Sequence, residues 1–506
     1  MNKGRLQQLY AIVVFLTSAL LLVLEIVAGR LLAPYVGVSL YTWTSIIGVI
    51  LAGLSLGNWI GGKIADKGAG HLAVGSILLL GAAASIAILP LLIWVAGFIQ
   101  QQSIGLVGAS IAFVLTLFFV PAAILGTISP LLTTLCLKLD NRPGTIVGRM
   151  HALSAIGSIV GTFATGYWLV QWLGTRTIVM IVSAMLFAMA LLFLLSSMRG
   201  RTLSLAGLTL IIVIAVFTYR NQGLASPCEV ESNYYCLRVA DEKDEFGRLY
   251  ARTLILDHMV HSTNTIDDPA QLLTPYIQAM DTLIHAQFTD PSQHSYFFAG
   301  GGAYTHPRAV RFRYPDAGIV VSEIDPAVTE LAAKKLFLNT DDLTIHHADT
   351  RTVLQNFDDN SFDVMITDVF HDVGIPYHLT TFEYHHLTAQ KLKPGGLYLL
   401  NVVDLFPSNR LVQAMFQTLK QEFQHVGVWI ESPPEQETRL TFVLTASDAR
   451  FEFEQIAAQS GTARTWFNIG EFIEQQAIKS QALILTDDYA PVERLLGNLL
   501  TTDAGN

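Results

Sequence analysis

Seven apolar runs, at roughly 9–29, 41–61, 72–98, 104–126, 150–172, 177–197 and 203–219, fill the first 220 residues. Each is near the ~20 residues that an α-helix needs to cross a bilayer. In hydrocarbon every backbone N–H and C=O has to be satisfied within its own segment, so runs of this kind form helices. Residues 1–220 are therefore expected to be a transmembrane helical domain of about seven spans. The first run has no small-residue cleavage site behind a short apolar core, and a second follows at once, which predicts an anchor and not a removed signal peptide. Pro121, Gly126 and Pro130 are expected to break the fourth helix, whose apolar pattern continues to Leu137.

The rest of the chain is different in kind. Residues 1–220 hold 12 Lys+Arg and 3 Asp+Glu, net +9, whereas the remainder holds 19 and 38, net −19. An acidic soluble half argues against nucleic acid as a partner and suits small cations. Lys3, Arg5, Lys63, Lys67, Lys138, Arg142, Arg149, Arg199 and Arg201 fall at one set of span ends, against Arg30, Arg176 and Arg220 at the other. Positive charge marks the cytoplasmic side. The N-terminus is thus expected inside an inner or plasma membrane and, after seven crossings, the soluble half outside.

Gly53, Gly57 and Gly61, and again Gly157 and Gly161, have the four-residue spacing that lets helix backbones approach closely. Glu25, a carboxylate in the first span, needs a partner or a cavity. Arg30 is the expected partner. Cys228 and Cys236 follow the last span; they either form a disulfide, which requires an oxidising compartment, or remain two thiols. Cys136 reads as a small packing residue.

From about 221 the pattern becomes one of short strands. Alternation in 237–239 and 249–256 around the Phe246-Gly247-Arg248 turn predicts a small β module over 221–285, with strands ending near 265. Strands predicted at 296–299, 319–324, 344–347, 362–367 and 396–403 alternate with helices at about 270–286, 326–337 and 381–391. Such alternation gives a parallel sheet covered on both faces, an α/β Rossmann-like domain over 286–506. Lys393-Pro394-Gly395-Gly396 reads as the turn that stops a helix before a strand.

Two strand ends carry chemistry. Gly300, Gly301 and Gly302 close the first strand, where only glycine lets the backbone approach a ligand. The second ends on Glu323 and Asp325, and an acid about twenty residues after such a turn can accept from both ribose hydroxyls. Asp368 follows the strand 362–367, at the carboxyl edge where open sheets bind ligands. Eight histidines, His258, His261, His346, His347, His371, His378, His385 and His386, lack the spacing of a metal site, and no metal is expected.

Five ordered blocks, Gly300–Arg308, Glu323–Pro326, Asp368–Asp372, Pro376–Thr381 and Leu485–Pro491, resemble the spermidine synthase family of aminopropyltransferases. Leu31–Gly37, Tyr41–Thr44 and Gly61–Asp66 resemble its membrane-fused branch. The resemblance implies a methyltransferase-type fold, decarboxylated S-adenosylmethionine as co-substrate, release of methylthioadenosine, and a homodimer. By it, the glycines pass under the nucleoside, Glu323 and Asp325 lie on the ribose side, and Asp349 accepts from the adenine amino group. Asp368, with His371 beside it, would hold and deprotonate the attacking amine. His261, Tyr276, Tyr304, Arg308, Asp372 and Tyr377 are the expected acceptor-side residues.

Three positions depart from the family pattern. Ala303 stands where soluble members have an acid, His371 replaces a second acid with Asp372 displaced by one, and His261 replaces a glutamine. Arg308 could instead clamp the carboxylate of intact S-adenosylmethionine. A lyase or other transferase acting on that donor is therefore a second reading, and a nucleoside or polyamine sensor, or a transporter, a third. Adenosylated sulfonium donors are made inside cells, which conflicts with an external domain. Either the fourth span is re-entrant, the helices deliver the ligand, or the ligand is another one.

Overall fold

A computed structural model describes residues 2–99, 105–140, 142–369, 374–434, 436–451, 453–459 and 461–497. The chain divides into two compact units, Met1–Cys236 and Leu237–Asn506.

In the first unit seven helices are long and apolar enough to cross a membrane: Lys3–Val36, Leu40–Asp66, His71–Ile99, Leu106–Leu137, Pro143–Leu173, Thr175–Leu194 and Met198–Arg220. Glycine spacing sets their packing. A Cβ on Gly57 would lie 2.1 Å from the carbonyl oxygen of Ala123, and one on Gly61 2.5 Å from that of Thr127; on Gly157 and Gly161 it would lie 2.2 and 2.3 Å from the oxygens of Phe15 and Ala19. Two helix pairs are therefore in backbone contact, which side chains at these positions would prevent. The fourth helix breaks after Gly126, into Leu106–Gly126 and Ile128–Leu137. Pro121 is accommodated inside the first piece and Pro130 sits in the first turn of the second, where its missing N–H has no partner to lose.

The unit extends past residue 220 because the next segment folds back onto the helices. Arg176 donates to the carbonyls of Gly223, at 2.7 Å, and Ala225, and Glu231 accepts from the Thr175 N–H at 2.9 Å. Arg30 donates to the carbonyls of Ser232 and Tyr234, both at 2.7 Å, and so is not the partner of Glu25. Cys228 and Cys236 form a disulfide, and Cys136 is buried and free. A two-residue strand, β1 (Val230–Glu231), closes the unit.

The second unit opens with a small antiparallel sheet, β2 (Cys236–Lys243), β3 (Leu249–Leu256) and β4 (Met259–Thr265). Gly247, at φ +79°, makes the β2–β3 turn. The main sheet contains β5 (Ser295–Ala299), β6 (Gly318–Ser322), β7 (Thr344–His346), β8 (Phe362–Thr367), β9 (Leu392–Phe406), β10 (His425–Ile430), β11 (Thr438–Ser447), β12 (Gln455–Ala457) and β13 (Thr465–Asn468). Their order is β12-β13-β10-β11-β9-β8-β5-β6-β7. Strands β5 to β9 pair in parallel, and β9 to β13 are joined by antiparallel pairs. From β5 the chain winds outward through β6 and β7, then returns to β8 on the other side, so the switch point lies between β5 and β8. Tyr296, Phe297, Phe298 and Ala299 are all buried, as a strand covered on both faces requires.

One turn differs from expectation. The helix Phe382–Lys391 stops where predicted, but Leu392 already pairs with Phe362. Lys393-Pro394-Gly395-Gly396 is a bulge within β9, and pairing resumes at Leu397 opposite Val364. Gly395, at φ +76°, takes the bend that only glycine adopts without strain.

On the helix Phe382–Lys391, His385 is fully buried beside Tyr384 and Tyr398. Burial pushes its imidazole down to about 3. A depressed base stabilises the fold above its ordinary value of 6.5, and that contribution is lost as pH falls towards 3. His385→Gln is expected to remove about 3 kcal/mol of the stability loss between pH 7 and pH 4. Urea unfolding at the two pH values measures this; an unchanged pH dependence would mean that the imidazole is not confined as described.

Candidate active site

The site begins at the switch point. Beyond Ala299 the chain turns through Gly300 at φ +91° and Gly302 at φ +51°. A Cβ on Gly300 would lie 2.1 Å from the backbone oxygen of Asp368, and the Asp368 N–H donates to the Ala299 carbonyl at 2.9 Å. The glycine turn and the acid therefore form one edge, made by the ends of β5 and β8.

Both carboxylate oxygens of Asp368 are held. Tyr276 Oη, from the helix Pro275–Gln287, donates to Oδ2 at 2.7 Å, and Asn401 Nδ2, from β9, donates to Oδ1 at 2.9 Å. Burial, followed by the charge and hydrogen bond of Asp368, raises the Tyr276 phenol well above its ordinary range, so it remains a donor. A narrow cleft over this edge is lined by His261, Tyr276, Gly300–Gly302, His306 and Asp368. His306 lies 3.4 Å from Asp281, which Arg313 also holds at 2.6 Å. Burial alone would raise the Asp281 carboxyl; His306, Arg313 and His285 hold it at about 2, so it stays an anion behind the cleft.

Glu323 follows β6 and turns back to the glycines. It accepts from the N–H groups of Gly301 and Asp325, both at 2.9 Å, and is 6% exposed. Burial pushes its carboxyl up to about 7 in spite of these bonds. A raised acid makes the folded state take up protons between its ordinary 4.5 and about 7, so stability is greatest below that window and falls as pH rises through it. Relative to wild type, Glu323→Gln is expected to gain about 3 kcal/mol between pH 4.5 and pH 8. Thermal unfolding across this range tests it, and a constant difference would contradict the assignment.

Asp325 accepts from the Ala327 N–H at 3.0 Å and caps the helix Pro326–Lys335. It is 2% exposed, so its side chain has a structural task. Asp349 caps the helix Thr350–Leu354 through the Thr352 N–H at 3.2 Å, while its other oxygen meets His378 Nε2 at 2.8 Å. The His378 bond is the main cause that holds its carboxyl below the ordinary range. Tyr377, largely exposed, packs its ring edgewise on His378.

Arg351 completes this wall. Its guanidinium grips Asp487 through two bonds of 2.8 and 2.6 Å, and Asp487 also accepts from Thr381 Oγ1 at 2.7 Å. Leu485 is anchored as well: its carbonyl accepts from the Phe382 N–H at 2.8 Å and its N–H donates to Thr418 Oγ1 at 2.9 Å. The block Leu485–Pro491 thus fastens the end of the chain beside Asp349.

Two expected acceptor-side residues are elsewhere. Tyr304 is fully buried, its ring beneath Gly301 and its hydroxyl 2.6 Å from Thr329 Oγ1, because a left-handed backbone at φ +57° turns it into the core. Arg308 lies one turn along the helix Thr305–Arg313 and lines a separate cavity, so it cannot clamp a donor in the cleft. His371 and Asp372 lie outside the described residues. The cleft therefore unites Asp368, the glycines, His261 and Tyr276, with Glu323 behind the glycines; Asp349 is not among the described residues that line it.

Sequence reasoning missed Asn401, Arg351 and the orienting role of Tyr276. Asn401 had a signal, a lone amide inside the apolar run Leu399-Leu400-Asn401-Val402-Val403. Arg351 and Tyr276 had none, since their partners are far away in sequence. Among the described residues no group of three His, Cys, Asp or Glu could hold a metal ion.

An open α/β sheet with a glycine turn and a held carboxylate at its switch point has the geometry of open sheets that bind ligands at the carboxyl ends of their strands. Residues 285–455 match the spermine/spermidine synthase domain. A probable polyamine aminopropyl transferase of Bifidobacterium longum (strain NCC 2705) is 24% identical over 298 residues, 55% of this chain and 64% of that protein. The polyamine aminopropyltransferase of Vibrio vulnificus (strain CMCP6) is 25% identical over 231 residues, 44% of this chain and 75% of the relative. The chain thus spans less than two thirds of the first relative's length. A probable spermidine synthase from Corynebacterium glutamicum ATCC 13032, of known structure, shares 23% identity over 52% of this chain and 96% of its own, with a TM-score of 0.45. Through residues 285–455 the chain is similar to the spermidine synthase family.

Proposed function

We propose that this chain is a membrane-anchored aminopropyltransferase, which moves an aminopropyl group from decarboxylated S-adenosylmethionine to an amine. The observation that carries the reading is Asp368, held at the switch point by Tyr276 and Asn401 and open to the cleft beside the glycine turn. The amine nitrogen attacks the carbon next to the sulfonium, an N–C bond forms and the C–S bond breaks. The bonding pair returns to sulfur, giving the neutral thioether methylthioadenosine. Asp368 takes the proton that would otherwise occupy the nitrogen lone pair. Glu323 would hold the ribose and Asp349 the adenine amino group. Asp368 is the only carboxylate among the described residues lining the cleft, so a single anion would hold the acceptor amine.

The seven long helices would anchor the enzyme, with the N-terminus cytoplasmic and the synthase domain on the opposite side, an arrangement in which the helices would also deliver the donor. The nine-to-three distribution of Lys and Arg supports this orientation, as does the Cys228–Cys236 disulfide, which an oxidising compartment maintains. A membrane-impermeant maleimide applied to intact cells after mild reduction should label this pair; labelling only after lysis would place the domain inside.

Mass spectrometry of detergent-purified protein tests the reaction, with S-adenosylmethionine or its decarboxylated form, with and without putrescine or spermidine. Methylthioadenosine appearing only with the decarboxylated donor plus amine, together with a lengthened polyamine, is the expected result. Methylthioadenosine from intact donor without an amine would instead identify a lyase, a reading that loses its carboxylate clamp with Arg308 outside the cleft.

A further inference from the structure

The helix Thr305–Arg313 serves two cavities. Thr305, His306 and Pro307 line the cleft, whereas Arg308, Arg311 and Phe312 line a second cavity of about 580 Å³, and among the described residues none lines both. That volume lies within the ~300–1,000 Å³ of small-molecule sites.

Its polar groups are incompletely satisfied. Arg308 is 8% exposed; Nη2 makes one long bond, 3.3 Å, to the Thr265 carbonyl, and Nη1 is buried with no partner. No carboxylate pairs with this guanidinium among the described residues. Arg311 gives its Nη groups to the carbonyls of Pro315 and Asp342, and its buried Nε has no partner. Three residues apart, the two arginines share a helix face. A buried cation without an anion is costly, and a bound anion removes the cost. Phe337 holds a left-handed backbone at φ +62°, unusual for a bulky side chain, and its ring lies 5.9 Å from the Arg308 guanidinium. Phe312 is exposed nearby, and Asp341 and Asp342 form part of the lining as exposed carboxylates.

We propose that this cavity binds an amino-acid-like zwitterion with an apolar side chain. The carboxylate meets the Arg308 and Arg311 guanidinium groups, the ammonium faces Asp341 and Asp342, and the side chain packs on Phe312 and Phe337. Paired cations, paired anions and two aromatic rings around one volume select for a molecule that carries both charges and an apolar body. This site is independent of the reaction proposed for the cleft.

Calorimetric titration of the full chain in detergent with L-phenylalanine, 3-phenylpropionate and phenethylamine tests it. L-Phenylalanine should bind saturably, 3-phenylpropionate about tenfold more weakly, and phenethylamine not at all. Arg308→Gln and Arg311→Gln should each weaken phenylalanine binding about tenfold or more, and Asp368→Asn should leave it unchanged. Should Arg308→Gln fail to fold, Arg311→Gln and the Asp341→Asn/Asp342→Asn pair still decide, the latter weakening phenylalanine but not phenylpropionate. Absence of binding, phenethylamine binding as tight as phenylalanine, insensitivity to the arginine variants, or loss on Asp368→Asn would each overturn the proposal.

Discussion

Asp368→Asn is expected to lower the rate of methylthioadenosine release by about 10²–10⁴-fold, the usual contribution of a positioned base. The substitution keeps shape and most bonding. Asn401 can still donate to the remaining oxygen, and Tyr276, a hydroxyl, can accept from the new amide where it formerly donated. Folding and nucleoside binding should therefore change little, while the negative charge that holds the amine and takes its proton is lost. Single-turnover kinetics with the decarboxylated donor would show the loss in the chemical step. Asp368→Glu retains the charge but moves it by one methylene out of the grip of Tyr276 and Asn401, and should recover only part of the rate. Equal rates for wild type and Asp368→Asn would remove this residue from the chemistry.

Gly300→Ala should destabilise the second unit by about 2–4 kcal/mol and abolish activity. Two causes add: the backbone is at φ +91°, and the new methyl would stand 2.1 Å from the Asp368 carbonyl. Relief of that contact moves Asp368 itself. Gly302 provides the control, because it is also left-handed, at φ +51°, but its Cβ would meet nothing within 4 Å. Gly302→Ala should therefore cost only the ~1–2 kcal/mol of the backbone conformation. Equal unfolding midpoints for the two variants would mean that crowding at Gly300 contributes nothing.

Long-period signals were the legible ones. Apolar runs of bilayer length marked seven helices, and four-residue glycine spacing marked where their backbones touch. The parallel strands were visible because they are buried on both faces and read as unbroken apolar stretches such as Tyr296–Ala299. The antiparallel extension β10 to β13 was not read, since its segments lack a motif and only β11 takes its register from β9, the others pairing among themselves. At the site, the glycines, Glu323 and Asp368 were legible because backbone geometry and strand ends constrain them locally. Tyr304 and Arg308 were misplaced for a local reason too. A single left-handed residue at 304 rotates the start of the next helix, and spacing along the chain does not record that rotation. The Asp368 clamp is built by Tyr276 and Asn401, 92 residues before and 33 after it, so only the fold brings them together.

The bond between Arg351 and Asp487 also sets an order of events in the cell. Translation produces the seven helices first, then the glycine turn, Asp349 and Arg351, and only much later the carboxylate that Arg351 grips. Until Asp487 has left the ribosome, a nascent or prematurely terminated chain carries Asp349 and Arg351 without the contact that ties them to the block Leu485–Pro491. On the proposed reading, a chain stopped between Asp349 and Leu485 would retain the seven long helices but lack the contact that Arg351 makes with Asp487.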